Sequence, residues 1–226
     1  MKLQLALDEL SLEDALALMH SVSEHIDIVE IGTPFVIGRG MEAVRAFATA
    51  FPDKEVLADE KIMDGGYLET RMGIEAGASY VTALAVADNA TLEQCLRAGR
   101  EFGGQIVADL ICVDDIASKV EELEDLGVDI VAVHTGVDRQ MRGGTPLSDL
   151  RQVNAVRRNA LVAVAGGIDS TSIDEYVQEN PDIVIVGSGI TKAEDPAREA
   201  RLIKMAMLRA SIPVGVPSAS NQVEKD

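Results

Sequence analysis

The chain has no tryptophan and only 3% aromatic residues, so it offers no ring platform of the kind on which nucleic-acid bases stack. Basic residues are scarce as well: 20 Lys and Arg face 38 Asp and Glu, a formal net charge of −18. Nucleic acid and anionic membrane surfaces both require basic patches, and neither is expected as a partner. A phosphorylated small molecule remains open, provided backbone amides or a metal ion receive it. There are two cysteines, Cys95 and Cys112, in no metal-ligand spacing, and both read as buried thiols of a reducing compartment. No apolar run approaches the ~20 residues that would cross a membrane. The opening segment, Met1 to Asp8, has a strand pattern rather than the apolar stretch of a signal peptide. A cytoplasmic enzyme or binding protein is expected. No linker, tandem repeat or low-complexity segment divides the chain.

What is present is an alternation. With 226 residues and 47% apolar content, the chain can bury one sizeable core. Runs rich in β-branched residues or leucine predict strands over 3–7, 26–31, 55–59, 80–84, 105–110, 128–134, 161–165 and 183–186. Amphipathic segments between them predict helices over 12–24, 42–51, 67–75, 91–102, 115–126, 146–157, 171–179 and 196–208. Gly77, Gly103 and Gly127 stand where helices should stop, and Asp115 and Ser170–Thr171 where others should start. Strict βα alternation means a parallel sheet, and eight units favour a single-domain (β/α)8 TIM barrel over residues 1–212. A doubly wound nucleotide fold would need a glycine-rich first turn, and residues 8–13 contain no glycine. Residues 213–226 read as a polar, disordered tail.

In such barrels the chemistry sits at the C-terminal strand ends. There the chain delivers Asp8, Glu30, the Asp59-Glu60-Lys61-Ile62-Met63-Asp64 segment, Asp109, His134, the Gly166-Gly167 turn and the Gly187-Ser188-Gly189 turn. Alternation puts Asp59 and Lys61 on one face, and burying such charges is costly unless they are paired. Glycine turns after strands seven and eight suit a phosphate, with Ser188 adding a hydroxyl and the helix after Ser170 its positive end. Asp8, Glu30, Asp59 and Asp64 cannot all ionise together without cations. Lys61 is one. A divalent ion on Glu30 and Asp59 would supply the rest, and oxygen ligands suit Mg²⁺ or Mn²⁺ rather than Zn²⁺. A bare salt bridge to Lys61 is the alternative for both carboxylates. His134, facing acids and a phosphate site, reads as a general acid/base.

Five segments carry a closer likeness: residues 6–8, 29–34, 58–64, 133–136 and 164–168. In order and spacing they resemble the 3-hexulose-6-phosphate synthases of the orotidine-monophosphate decarboxylase group, from Met1 to about Leu208. The resemblance implies aldol addition of formaldehyde to D-ribulose 5-phosphate, giving D-arabino-hex-3-ulose 6-phosphate through a Mg²⁺-stabilised 1,2-enediolate. It puts Glu30 and Asp59 at the metal, Asp8 and Lys61 beside the reacting carbons, and His134 at a proton transfer. Gly167, Gly187 and Ser188 fall in the phosphate loops. Asp64 matches an aspartate that reaches the neighbouring subunit's site, which implies a homodimer.

The rival in the group is 3-keto-L-gulonate 6-phosphate decarboxylase. It has arginines where this chain has Val137 and Ser188. Orotidine-monophosphate decarboxylase itself lacks the counterpart of Glu30. A metal-free Schiff-base aldolase using Lys61, or a non-catalytic sugar-phosphate-binding protein, are readings of other classes. Three positions depart from the synthase pattern. Glu60 is charged where an apolar residue is expected, faces the helical layer and could meet Arg71. Ile62 and Val137 replace polar or aromatic residues.

Overall fold

The computed structural model describes residues 1–210; the expected tail 213–226 and the side chain of Val137 lie outside the described part. Eight strands form a closed barrel in sequence order, every neighbouring pair parallel. They are β1 Lys2–Leu7, β2 Ile28–Ile31, β3 Glu55–Ile62, β4 Tyr80–Leu84, β5 Gln105–Asp109, β6 Ile130–His134, β7 Leu161–Ala165 and β8 Ile183–Val186. The helices are α1 Leu12–Val22, α2 Thr33–Arg39, α3 Met41–Ala50, α4 Gly66–Glu75, α5 Asn89–Phe102 and α6 Ile116–Leu126. They continue with α7 Val137–Gln140, α8 Leu147–Val156, α9 Ile173–Gln178, α10 Ser188–Thr191 and α11 Pro196–Ala210. The expected (β/α)8 barrel is the observed fold. Among the described residues no helix is long and apolar enough to cross a membrane.

The differences from the sequence reading have local causes. β2 starts at Ile28 because α1 is followed by a one-turn 3₁₀ helix whose last bond, Ile26 N–H to the Ser23 carbonyl, holds Ile26 outside the sheet. β6 starts at Ile130 because the Val128 N–H turns back to the Leu123 carbonyl, closing α6 around left-handed Gly127. Three short helices, α2, α7 and α10, follow β2, β6 and β8 where only turns were expected. For α2 the signal was present, since proline in the first turn of a helix loses no bond. Cys95 is buried as expected, but Cys112 is exposed.

Two apolar layers hold the barrel. One lies between strands and helices and includes Leu5, Val29, Ala58, Val81 and Val131, packed on helix residues such as Met19, Phe47, Leu92 and Val120. The other fills the barrel: Ile28, Leu57, Tyr80, Val107, Ile130, Ala132, Ala163 and Ile183, with Ile185 against them. Side chains alternate faces along a strand, so the next inward position lies two residues further on. From Ile28 this reaches Glu30, from Leu57 Asp59, from Tyr80 Thr82, from Val107 Asp109, and from Ala132 His134. The interior thus turns from apolar to polar toward the C-terminal strand ends.

Candidate active site

Asp59 is the centre of the polar end and is 4% exposed. Its Oδ2 accepts the Thr33 hydroxyl at 2.6 Å and the Thr33 N–H at 3.3 Å, and it is ion-paired to Lys61 Nζ. Its Oδ1 accepts the Thr82 hydroxyl at 2.7 Å. Burial pushes this carboxyl up, but the Lys61 charge and these donors outweigh it and hold it below the usual range. Lys61 also donates to the Thr33 hydroxyl at 3.1 Å and lies 3.8 Å from Asp109 Oδ2. Burial works against its charge, yet the carboxylates raise its pKa above the ordinary value. A lysine held so firmly protonated is a poor Schiff-base nucleophile.

The shape of β3 departs from the sequence reading. The strand was expected to end at Asp59 but runs on to Ile62. Its register against β4 slips: Ala58 pairs with Val81, and Ile62 with Ala83. Four steps on β3 match two on β4, so the segment bulges and Lys61 takes φ 49°. Ile62 is buried in the barrel–helix core. Glu60 points outward, so that a Cβ on Gly73 of α4 would lie 2.2 Å from its Oε1. That oxygen is buried without a hydrogen-bond partner, and burial, then the charges of Glu69 and Asp59, push the carboxyl up to about 8. Arg71, its expected partner, instead lies 3.5 Å from Glu75.

Glu30 lies at 9% exposure and accepts a 2.6 Å bond from Gln4 Nε2. Burial, then the charge of Asp59, raises its pKa to about 8. Burial and Asp59 outweigh the Gln4 bond and the Lys61 charge at this carboxyl, and a divalent ion beside it would favour its ionised form. Among the described residues no group of three or more His, Cys, Asp or Glu side chains is gathered to hold a metal ion. Two carboxylates without a full protein cage suit Mg²⁺, which keeps water and substrate oxygens as its other ligands. The residues present fit the ion.

Asp8 follows β1 at the barrel mouth. A Cβ on Gly32 would fall 2.0 Å from its Oδ1 and 2.7 Å from the Leu7 carbonyl oxygen, so a side chain there would force both Asp8 and the backbone to shift. Partial burial, then the charge of Asp59, raises its pKa. Across the barrel, His134 Nδ1 lies 2.8 Å from Asp109 Oδ2. Burial opposes protonation of the ring, but the bond and charge of Asp109 prevail and raise its pKa above the ordinary 6.5. This bond occupies Nδ1 and leaves Nε2 as the atom that can exchange a proton. The stability it contributes is fully present below pH 6.5 and is lost as pH rises through the folded value. Asp109→Asn is expected to lower the His134 pKa, and its stability deficit should be largest in acid. The ring-proton NMR titration of His134 checks the first point; an unmoved midpoint would contradict it.

The glycine turns also stand at this rim. Gly166 and Gly167 take φ 130° and 70°, and a Cβ on Gly166 would lie 2.9 Å from the Thr135 carbonyl. Gly187 caps α10, with exposed Ser188 as its first residue. One expectation is corrected: the helix after Ser170 does not offer its positive end. Asp169 already accepts the N–H groups of Thr171 and Ser172, and Ser170 N–H goes to Glu199. Asp64 is not part of the cluster in its own chain. Its side chain is exposed and accepts the Gly65 N–H at 2.7 Å. Sequence reasoning assigns no role to Asp109, Thr33 or Thr82, although the inward alternation marks Asp109 and Thr82.

The chain and its fold are similar to those of known proteins. Residues 1–203 match the model of the orotidine 5'-phosphate decarboxylase / HUMPS family. A curated relative, 3-hexulose-6-phosphate synthase 2 of Staphylococcus saprophyticus, is 45% identical over 201 residues, covering 89% of this chain and 94% of its own. The crystal structure of 3-hexulose-6-phosphate synthase from Salmonella typhimurium superposes with a TM-score of 0.92 at 51% identity, over 93% of this chain and 100% of that one. KGPDC from Streptococcus mutans, solved as a ligand complex, superposes with a TM-score of 0.86 at 27% identity, over 93% of this chain and 98% of that one. Fold and relatives together show that the chain is an enzyme that belongs to the orotidine 5'-phosphate decarboxylase / HUMPS family, among its 3-hexulose-6-phosphate synthases.

Proposed function

We propose that the chain catalyses the metal-dependent aldol addition of formaldehyde to D-ribulose 5-phosphate, giving D-arabino-hex-3-ulose 6-phosphate. The observation that carries this reading is the Lys61–Asp59 ion pair at the same barrel end as the buried Glu30 carboxyl, which accepts the Gln4 amide. Glu30 and Asp59 would hold Mg²⁺ (or Mn²⁺), which supplies positive charge to substrate oxygens that become anionic. Lys61 adds a second, fixed positive charge on the same side. His134, steadied through Nδ1 by Asp109, exchanges the proton at Nε2. A proton leaves C1 of the ketose, and the resulting 1,2-enediolate attacks the formaldehyde carbon. One carbon–carbon bond forms, and the former carbonyl oxygen takes up a proton. Asp8 stands beside the reacting carbons. The glycine turns at Gly166–Gly167 and Gly187–Ser188 receive the phosphate through backbone N–H groups, so remote binding energy orients the reacting end.

The decarboxylase reading shares this chemistry up to the enediolate. Val137 and Ser188, where that branch carries arginines, favour the synthase. The exposed Asp64 fits a homodimer in which it reaches the neighbouring site, because the same segment and α4 also expose Met63, Leu68 and Met72. A cytoplasmic location goes with the reading.

Proton exchange tests the enediolate. In D2O with ribulose 5-phosphate and no formaldehyde, the C1 proton signal of the ketose is expected to wash out, and EDTA should stop the loss. Full retention of C1 protons by active protein would contradict the proposal.

A further inference from the structure

Thr82 on β4 is 6% exposed, and its one hydroxyl meets two groups of β3. It accepts the Lys61 backbone N–H at 2.9 Å and donates to Asp59 Oδ1 at 2.7 Å. The backbone N–H can only donate, and an ionised carboxylate can only accept, so the hydroxyl's proton is committed to Asp59. We propose that Thr82 is a positioning residue: it closes the bulge of β3 and so sets Lys61 and Asp59 at their working separation. The inference rests on the reading of those two groups as catalytic.

Three observations carry it. Between the pairs Ala58–Val81 and Ile62–Ala83, the residues Asp59, Glu60 and Lys61 face Thr82 alone, so the regular ladder is interrupted there. Lys61 sits in the left-handed region at φ 49°, a conformation that a non-glycine residue keeps only when its surroundings enforce it. Thr82 supplies both constraints, one on the Lys61 backbone and one on the Asp59 side chain. The other grip on Asp59, from Thr33, falls on Oδ2 and comes from β2's turn, so it cannot hold the β3 backbone. Packing alone does not require a hydroxyl here. The matching inward positions on β6 and β8 are Ala132 and Ile185, and valine has threonine's shape.

Thr82→Val and Thr82→Ser separate this role from packing. The valine variant is expected to lose about tenfold or more in kcat, as small misplacements of reacting groups do. Its KM for ribulose 5-phosphate should stay within about twofold, because the phosphate turns on β7 and β8 are untouched. Thr82→Ser, which keeps the hydroxyl, should recover most of kcat. If valine prevents folding, Thr82→Ala takes its place in the comparison with serine. A valine variant with wild-type kcat, or a serine variant as slow as valine, would overturn the proposal. Crystal structures of the variants add a readout independent of turnover: Asp59 and Lys61 are expected to move with valine and to stay with serine. Unmoved groups in the valine variant would overturn it. A wild-type protein inactive on ribulose 5-phosphate would instead count against the parent reading, and the structural comparison would still decide the role of Thr82.

Discussion

Asp59→Asn is expected to lower kcat by roughly 10³-fold, about 4 kcal/mol of transition-state stabilisation. The carboxyl holds Lys61 through Oδ2, takes the Thr33 and Thr82 hydroxyls, and is one of the two oxygen groups that fit a divalent ion. Asparagine keeps the size but presents one carbonyl oxygen and an amide that repels the ammonium. Steady-state kinetics at saturating ribulose 5-phosphate check the effect, and a kcat within about tenfold of wild type would sink the assignment. Glu30→Gln makes an informative companion. It should also silence the reaction, but its effect on the metal-free fold runs the other way. The Glu30 carboxyl binds its proton more tightly folded, at about 8, than unfolded, at the ordinary 4.5. Ionising it therefore costs stability that grows as pH rises from 4.5 through about 8. Glutamine removes that cost, so the metal-free variant should melt above wild type near the upper end of that range. An equal or lower melting temperature there would contradict the reading of Glu30 as a carboxyl whose ionisation burial and Asp59 oppose.

Lys61→Met carries the second large effect, again roughly 10³-fold in kcat, within the range for loss of a preorganised charge in a water-poor site. Methionine fills similar space but leaves Asp59 and Asp109 facing each other without the ammonium that lies against both. Without the ammonium, Asp59 loses the charge that holds its pKa down, so the residual activity of the variant should have its acid limb moved to higher pH. Borohydride with substrate separates the charge role from Schiff-base chemistry, because a protonated Lys61 forms no imine to reduce. Irreversible inactivation of wild type by borohydride in the presence of ribulose 5-phosphate would contradict the charge role.

Much of the site was legible because a parallel barrel obeys one rule, alternation, and its chemistry gathers at one end. Asp8, Glu30, Asp59, Asp109 and His134 can all be placed at that rim by counting along apolar runs. What alternation could not deliver was the departure from itself. Nothing in the residues 58–62 announces that β3 spends four steps against two of β4, because a bulge is set by the partner strand and not by local propensity. Thr82 and Thr33 escape sequence reasoning for the same reason: a threonine on a strand or after a glycine reads as packing or as a turn until its hydroxyl is seen against Asp59. The short helices α7 and α10 are a single turn each, too brief for periodicity to register. At Asp169 the sequence pointed the wrong way, since the aspartate that caps the chain after β7 also consumes the N–H groups expected for the phosphate. Glu60 has a clear place against Gly73, but no feature of the site requires its charge.

The central reaction is tested most directly by following formaldehyde in a mixture of the protein and ribulose 5-phosphate, with and without EDTA. Formaldehyde is expected to disappear only when the ketose phosphate is present, and EDTA should stop the loss. Undiminished formaldehyde, together with CO2 release from 3-keto-L-gulonate 6-phosphate, would contradict the synthase reading in favour of the decarboxylase.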